Sequence, residues 1–493
     1  MTNCPSDPTP SFLTFKEQGN EAFKTQNYQK ALDAYSQAIV LCPPDEGKQR
    51  AMLFGNRSMA KIKLEQYGGA VIDAQNALDN DPEYNKAYFR MGSAKLALLK
   101  YHEALKDFKH VVKLTNDKLA RQRVKQCLSE IRRIKFEKAI AIEIKKPSEQ
   151  VNLNQMLIPN DYDGIKLHID PQTGKFEISR EFIIDMMKRF KDRKLIPKKY
   201  VTMILLKALE TLKDLPSLYE IKISPEDKIT VVGDTHGQYY DLLNLLENEA
   251  GLPSKENPFL FNGDLVDRGS FSCEVALTLL AWRAHDPSVV HITRGNHESR
   301  HLNRVYGFEG EVKHKYNDAI YDLFQEVFNL LPLAITINSK VLVLHGGIGF
   351  EKDGVTLDDI AKVDRNREIP DSGIMTDILW SDPSKANGRH PSQRGVSRAF
   401  GPDVSRHFME NNGLDLVIRS HEMKMDGYEI EPEVNLVTLF SAPNYCSSQG
   451  NKGSFIVLRG TPDIGKNPLI KQFDAVPHPN VKPMQYSNPM MRF

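Results

Sequence analysis

Cysteine is scarce in this chain and scattered. The five residues Cys4, Cys42, Cys127, Cys273 and Cys446 lie far apart among 493, with no Cys-x-x-Cys pair. That spacing argues against a disulfide framework and a thiolate zinc site, and it suits a reducing compartment, the cytoplasm or the nucleus. Long apolar runs are also missing: none reaches the roughly 18 residues that would span a bilayer. The opening "MTNCPSDPTPS" has neither a basic start nor an apolar core, so it is not expected to be a secretory signal. What is present, 40% hydrophobic and 26% charged residues, describes a soluble globular protein. A chain this long exceeds one ordinary core, and two or three domains are expected.

The net charge of +1 hides an asymmetry. Residues 1–150 carry 25 Lys and Arg against 18 Asp and Glu, which leaves 40 against 46 for the remainder of the chain's 65 and 64. A basic front and an acidic back could dock on each other, the front could hold an anionic partner, or both could be ordinary solvated surfaces.

A repeat organises the front. Tyr28, Tyr67 and Tyr101 each stand three residues before Ala31, Ala70 and Ala104, and Ala38, Ala77 and Val111 follow seven further on. The intervals are 39 and 34 residues, the longer one explained by an insertion at Pro43–Lys48. Pro43 and Pro82 close the first two units, and Gly19 and Gly92 take equivalent early positions in the first and third. The pattern resembles three tetratricopeptide repeats, helix pairs that stack into a solenoid because none can bury its face alone. Lys16 and Asn20 are four apart, as are Lys86 and Arg90, so each pair shares one face of a first helix, with Asn56 on the matching helix of the second unit. Three cations and two amides on one groove suit a carboxylate. The set resembles the carboxylate clamp by which such repeats hold the acidic C-terminus of a chaperone, heat-shock protein 90. Asp117–Lys146 has helical spacing and many cations and is expected to extend the solenoid, Pro147 ending it. The expected layout is therefore a flexible N-terminus (1–10), repeats with an extension helix (11–146), a polar linker (147–175), a catalytic domain (176–483) and a tail (484–493).

The back half repeats one device: an apolar strand-like run, then a turn filled with metal-ligand residues. It occurs in "KITVVGDTHG" (228–237), "PFLFNGDLVDRG" (258–269), "VVHITRGNHE" (289–298), "KVLVLHGG" (340–347) and "LDLVIRSHE" (414–422). Buried strands collect their C-terminal ends along a sheet edge, where ligands gather. Asp, His and Asn without thiolate suit manganese, iron, zinc or magnesium, with manganese expected to serve in vitro. Asp234, His236, Asp264, Asn296, His345 and His421 are expected to hold two such ions about 3.5–4 Å apart, Asp264 bridging, which ionises a shared water for in-line attack on a phosphoryl group. His297 would serve as general acid, oriented by Asp267. Arg268 and Arg394 would grip the phosphate oxygens.

"GDTHG", "GDLVDRG", "RGNHE", "LHGG", "RGVS" (394–397), "RSHE" and "SAPNYC" (441–446) appear in the order found in the phosphoprotein phosphatase family, and the resemblance covers 230–453. It implies an α/β metallophosphoesterase domain, a central β-sandwich flanked by helices, behind the all-α repeats. It implies dimetal hydrolysis of phosphoserine and phosphothreonine in proteins. Phosphate contacts fall to Arg268, Asn296 and Arg394, His297 also binds substrate as the proton donor, and Tyr306 and Tyr445 fall at the active-site rim. In relatives with repeats, those repeats cover the cleft, and Glu65 matches a residue of that autoinhibitory contact. Two positions depart from the pattern. Thr293 stands where leucine is usual, and Pro489 opposes the C-terminal helix that helps hold such enzymes off. Phosphodiesterases and nucleases share the Asp-x-His, Gly-Asp and Gly-Asn-His core. Arg394, the "SAPNYC" loop and the lack of a basic, aromatic-rich stripe count against them and against a nucleic-acid partner. A monomer is expected.

Overall fold

The computed structural model describes residues 11–140 and 146–487 except 432 and 467, and of 137–140 the backbone alone. The expected flexible N-terminus and Pro489 therefore lie outside the described residues. The chain forms two compact units, which within those limits comprise 11–140 with 391–396, and 146–390 with 397–487.

The first unit is built of helices α1 (Phe12–Lys24), α2 (Tyr28–Leu41), α3 (Gly47–Lys63), α4 (Tyr67–Asn80), α5 (Asn85–Ala97), α6 (Tyr101–Thr115) and α7 (Lys118–Ile140). Each of the three tyrosines opens the second helix of a pair. The turn before each places one residue, Gln26, Glu65 or Leu99, in the left-handed region at φ 60–61°. The repeated small residues mark where helices cross: Ala31, Ala70 and Ala104 are fully buried. A Cβ at Gly19 would lie 2.6 Å from Tyr35 Cε1. The second pair uses Ser58 instead of glycine at that point, its hydroxyl donating to the Ala70 carbonyl at 2.8 Å. The extension helix is α7, and 141–145 lie outside the described residues. No described helix is long and apolar enough to cross a membrane.

The second unit centres on two packed sheets. Its strands are β1 (Leu218–Ile221), β2 (Lys228–Val232), β3 (Phe259–Phe261), β4 (Val290–Ile292), β5 (Ala334–Ile337), β6 (Val341–Leu344), β7 (Asp382–Pro383), β8 (Arg389–Pro391), β9 (Arg398–Phe400), β10 (Leu416–Arg419), β11 (Tyr428–Glu431), β12 (Leu436–Leu439), β13 (Gly453–Arg459) and β14 (Leu469–Phe473). One sheet runs β1-β5-β6-β10-β12-β11, the other β14-β13-β2-β3-β4, and β7-β9-β8 form a small third. Alternation along each strand divides the core. Ile229, Val231, Leu260, Val341, Val343, Leu416, Ile418 and Val437 fill the space between the two large sheets. On the outer side, Val232, Phe259, Phe261, Val290 and Ile292 join the core of the helices Arg180–Lys191, Lys198–Leu212, Ser272–His285 and Asp318–Leu330. Leu342, Leu344, Val417 and Leu436 pack with Ile374–Trp380 and Pro402–Asn412 on the other outer face. Strands apolar on both faces are what continuous runs such as "VLVL" require.

The polar stretch 147–175 is not free chain. Ser148 donates through N and Oγ to the Glu326 carboxylate at 2.9 and 2.7 Å, and Val151, Leu153, Ile158 and Tyr162 pack on the large core.

Candidate functional site

The five ligand-rich turns follow β2, β3, β4, β6 and β10. They do not share one sheet edge: three leave one sheet and two leave the other. The sheets meet at this end because Asp234 bridges to Phe440, just beyond β12 in the opposite sheet.

The turns are tightly coiled. His236, Asp264, Asp267, Arg268 and His421 all have positive φ, between 41° and 73°. Side-chain-bearing residues adopt that region only where the surroundings over-determine it. Backbone bonds supply the constraint: the amides of Thr235 and His236 both donate to the Asp264 carbonyl, at 3.1 and 2.9 Å, and Gly269 N donates to the His236 carbonyl at 2.9 Å. Glu298 completes it, its carboxylate receiving the amides of Asp264, Leu265 and Gly295 at 2.8–2.9 Å. Burial first, then the Asp264 charge, push the Glu298 carboxyl up to about 7.

The six expected ligands are buried and converge. Two triads, His236–Asp264–His297 and Asp264–His345–His421, each bring their ligand atoms within 4.8 Å of one another, and Asp264 belongs to both. His236 Nε2 lies 3.5 Å from Asp264 Oδ2 and 3.8 Å from Asp234 Oδ2. His345 Nε2 lies 3.3 Å from Asp264 Oδ2 and 3.2 Å from His421 Nδ1. The end of the Asn296 amide sits 3.0 Å from His345 Nε2, and with its nitrogen turned there it also meets Asp264 Oδ2 and His421 Nδ1 at 3.1 Å.

The donor set fits divalent cations. His236 Nδ1 sits 3.0 Å from the Val266 carbonyl and His345 Nδ1 sits 2.9 Å from the Asn262 carbonyl, so both Nδ1 atoms carry hydrogen and both Nε2 atoms face the cluster. Burial, against the pull of Asp264, lowers His236 to about 3, the neutral ligating form. Burial would lower His345 too, but the Asp264 charge outweighs it and holds the ring at about 9. Asp234 is pushed up to about 7 by burial and then by Asp264. So many lone pairs and buried carboxylates around one point are a strain that a cation would relieve.

His297 is held differently. Its Nδ1 is 2.8 Å from Asp267 Oδ2, and its amide donates to Asp264 Oδ1 at 2.9 Å. Burial works to lower its pKa, yet the Asp264 charge and the Asp267 bond leave it raised above the ordinary value. Asp267 is fixed in turn by Phe308 N at 2.9 Å and Asn303 Nδ2 at 3.0 Å. The Arg268 guanidinium lies 3.7 Å from the centre of the Tyr306 ring, which stands 5.2 Å from the His297 ring. Tyr445 of "SAPNYC" faces His236, ring centres 5.2 Å apart. Arg394 lies on the 391–396 stretch that groups with the first unit, its amide on Ser392 Oγ at 3.1 Å.

Three supporting residues escaped the sequence reading. Glu298 lies inside the quoted "RGNHE" but is none of the expected ligands, its oxygens being taken by backbone amides, Asn303 belongs to no motif, and Asn262 precedes "GD". Asn262 links both sheets, Nδ2 donating to the Leu344 carbonyl and Ser420 Oγ at 2.7 and 2.9 Å. Thr293 is buried there with a purpose: its hydroxyl donates to Asn262 Oδ1 at 2.8 Å.

In the first unit, Asn20, Asn56 and Arg90 form a chain. Asn56 Nδ2 donates to Asn20 Oδ1 and Arg90 donates to Asn56 Oδ1, both at 3.4 Å, while Tyr35 OH fixes Asn20 at 2.9 Å. Lys16 donates to Gln49 at 3.0 Å. Lys86 and Arg90 line a cavity of about 420 Å³ with Met59, Phe89 and Leu119. Glu65 lies in the turn between α3 and α4.

Residues 227–425 match the calcineurin-like phosphoesterase family, and 124–220 match the PPP5 TPR repeat region. The chain is 48% identical to serine/threonine-protein phosphatase 5 of Rattus norvegicus over 503 residues, covering 100% of this chain and 98% of the relative. It is 42% identical to serine/threonine-protein phosphatase 5 of Arabidopsis thaliana, covering 97% of each. A solved protein serine/threonine phosphatase from Saccharomyces cerevisiae superposes with a TM-score of 0.60 at 44% identity, over 62% of this chain and 100% of that one.

Metal content separates ligand from proton donor. Elemental analysis after manganese loading is expected to find two ions per chain, both lost in Asp264→Asn and both kept in His297→Asn. Loss of metal from the His297 variant would make that ring a ligand.

Proposed function

The chain belongs to the serine/threonine-protein phosphatase 5 family, and on that premise we propose that it hydrolyses phosphoserine and phosphothreonine monoesters of proteins, directed and restrained by its repeats. The observation that carries the reading is a carboxylate, Asp264, common to two groups of potential ligands, one of which includes an imidazole, His297, held by a further carboxylate, Asp267. Asp234, His236 and Asp264 would hold one ion and Asp264, Asn296, His345 and His421 the other, with manganese, iron, zinc or magnesium as candidates. When bound, such ions lower the pKa of water and draw charge from a phosphoryl group.

The protein's own groups do the rest. Asp267 fixes the His297 tautomer, which leaves Nε2 to deliver a proton to the departing seryl or threonyl oxygen. Arg268, held flat against Tyr306, would grip phosphate oxygens, with the Asn296 amide and Arg394 as further contacts, and charge building on those oxygens favours the guanidinium forks. Tyr306 and Tyr445 would wall the cleft around the entering residue. The scattered cysteines, with no Cys-x-x-Cys pair, support a cytoplasmic and nuclear setting.

The repeats would bind the acidic C-terminus of heat-shock protein 90. Lys16, Asn20, Asn56, Lys86 and Arg90 support this, since Arg90 and the two amides are already linked at one groove. Opposite net charge on the two parts supports restraint of the enzyme by its repeats, with Glu65 as a contact.

For the chemistry, His297→Asn is expected to lower phosphopeptide turnover roughly 10²–10⁴-fold. Turnover at the wild-type rate would remove His297 from proton donation. For the repeats, an acidic chaperone-tail peptide is expected to bind the full chain and raise its phosphopeptide turnover, both effects vanishing in Arg90→Ala. Calorimetry with undiminished affinity in that variant would move the partner site, and binding without stimulation would contradict restraint.

A further inference from the structure

The phosphate grip proposed above depends on Arg268, yet Asp267 and Arg268 both have left-handed backbone, at φ 72° and 69°. Non-glycine residues stay there only when neighbours leave no alternative. On one flank, Arg268 N donates to the Tyr306 carbonyl at 3.2 Å and Asp267 N to Ser272 Oγ at 3.0 Å. On the other flank the neighbour is remote in sequence. Met484 N donates to the Arg268 carbonyl at 2.7 Å. Ser270 Oγ donates to the Lys482 carbonyl at 2.7 Å and accepts from Gln485 N at 3.2 Å. Three hydrogen bonds therefore join 268–270 to 482–485, two of them through one hydroxyl.

The remote segment is itself anchored. Val476 N donates to Asp241 Oδ1 at 2.9 Å. The Tyr486 ring lies 5.1 Å from the His314 ring and 5.8 Å from Lys315 Nζ. Lys315 is immobilised by Glu274 and Glu311 at 2.7 and 2.8 Å, and Glu311 also receives the amides of Ser272 and Cys273, just beyond the Arg268 loop. A Cβ at Gly310 would come 2.1 Å from the Tyr486 carbonyl oxygen, so the two backbones touch directly.

We propose that residues 482–486 are a positioning clasp for Arg268: they lock its backbone so that the guanidinium stays over Tyr306, and through it they set the affinity for the phosphate group. The proposal rests on Arg268 being a phosphate contact. The clasp acts through its three hydrogen bonds to 268–270, so its effect passes through the arginine.

The test uses full-length Ser270→Ala, Tyr486→Ala, Tyr486→Phe, Arg268→Ala and the Ser270→Ala/Arg268→Ala double variant, with inhibition by inorganic phosphate and phosphopeptide kinetics as readouts. Ser270→Ala, which loses two hydrogen bonds, and Tyr486→Ala, which loses the ring packing on His314 and Lys315, are expected to raise the phosphate inhibition constant and KM about fivefold, with a smaller change in kcat. Tyr486→Phe keeps the ring on His314 and Lys315 and is expected to match wild type. Ser270→Ala is expected to add nothing once Arg268 is gone. Wild-type phosphate inhibition in both alanine variants would overturn the clasp, as would an undiminished Ser270→Ala effect without Arg268. Unchanged inhibition in Arg268→Ala would remove the arginine from the phosphate site and the clasp with it.

Discussion

One buried carboxylate organises this molecule. Asp264 stands where two sheets meet, within reach of imidazoles from both, and its neighbours respond to its charge: Asp234 and Glu298 are pushed up by burial and then by Asp264, while His345 and His297 are raised by it against the cost of burial. A buried anion is tolerated only with compensating charge. The sandwich core, the outer helices and the Asn262 bridge all serve to fix the turns that supply it.

The same demand explains the strain. Ligand atoms from five strand ends must point inward within a few ångströms, which forces short turns and left-handed residues at His236, Asp264, Asp267, Arg268 and His421. Hydrogen bonds from Glu298 and from neighbouring turns hold them there. Small residues cannot be spared at such crossings: a Cβ at Gly263 would lie 2.4 Å from the Gly295 amide nitrogen. The first unit solves a milder version of this problem, using alanine, glycine and Ser58 where its helices cross.

Much of this was legible in the sequence because the chemistry sits in contiguous words. A strand followed by Asp-x-His or Asn-His announces both the element and its cargo, and tyrosines at intervals of 39 and 34 residues announce the helix pairs. Support from a distance was not legible. Asn303 reaches Asp267 across 36 residues, Asn262 braces a histidine 83 residues away, and Ser270 meets Lys482 across 212. No local pattern encodes such partners. Composition also misled at 147–175, where a polar stretch carries enough apolar residues, spaced apart, to pack on the catalytic core. The division of the five turns between two sheets was hidden for the same reason, since strand order depends on contacts that periodicity does not report.

The proposed role of Asp264 is to join two metal ions into one unit rather than to serve either alone. Electron paramagnetic resonance of the metal-free chain given two equivalents of manganese(II) tests this most directly. A bridging carboxylate predicts an exchange-coupled dimanganese spectrum that grows in with the second equivalent. A spectrum that remains that of isolated, uncoupled ions at two equivalents would contradict it.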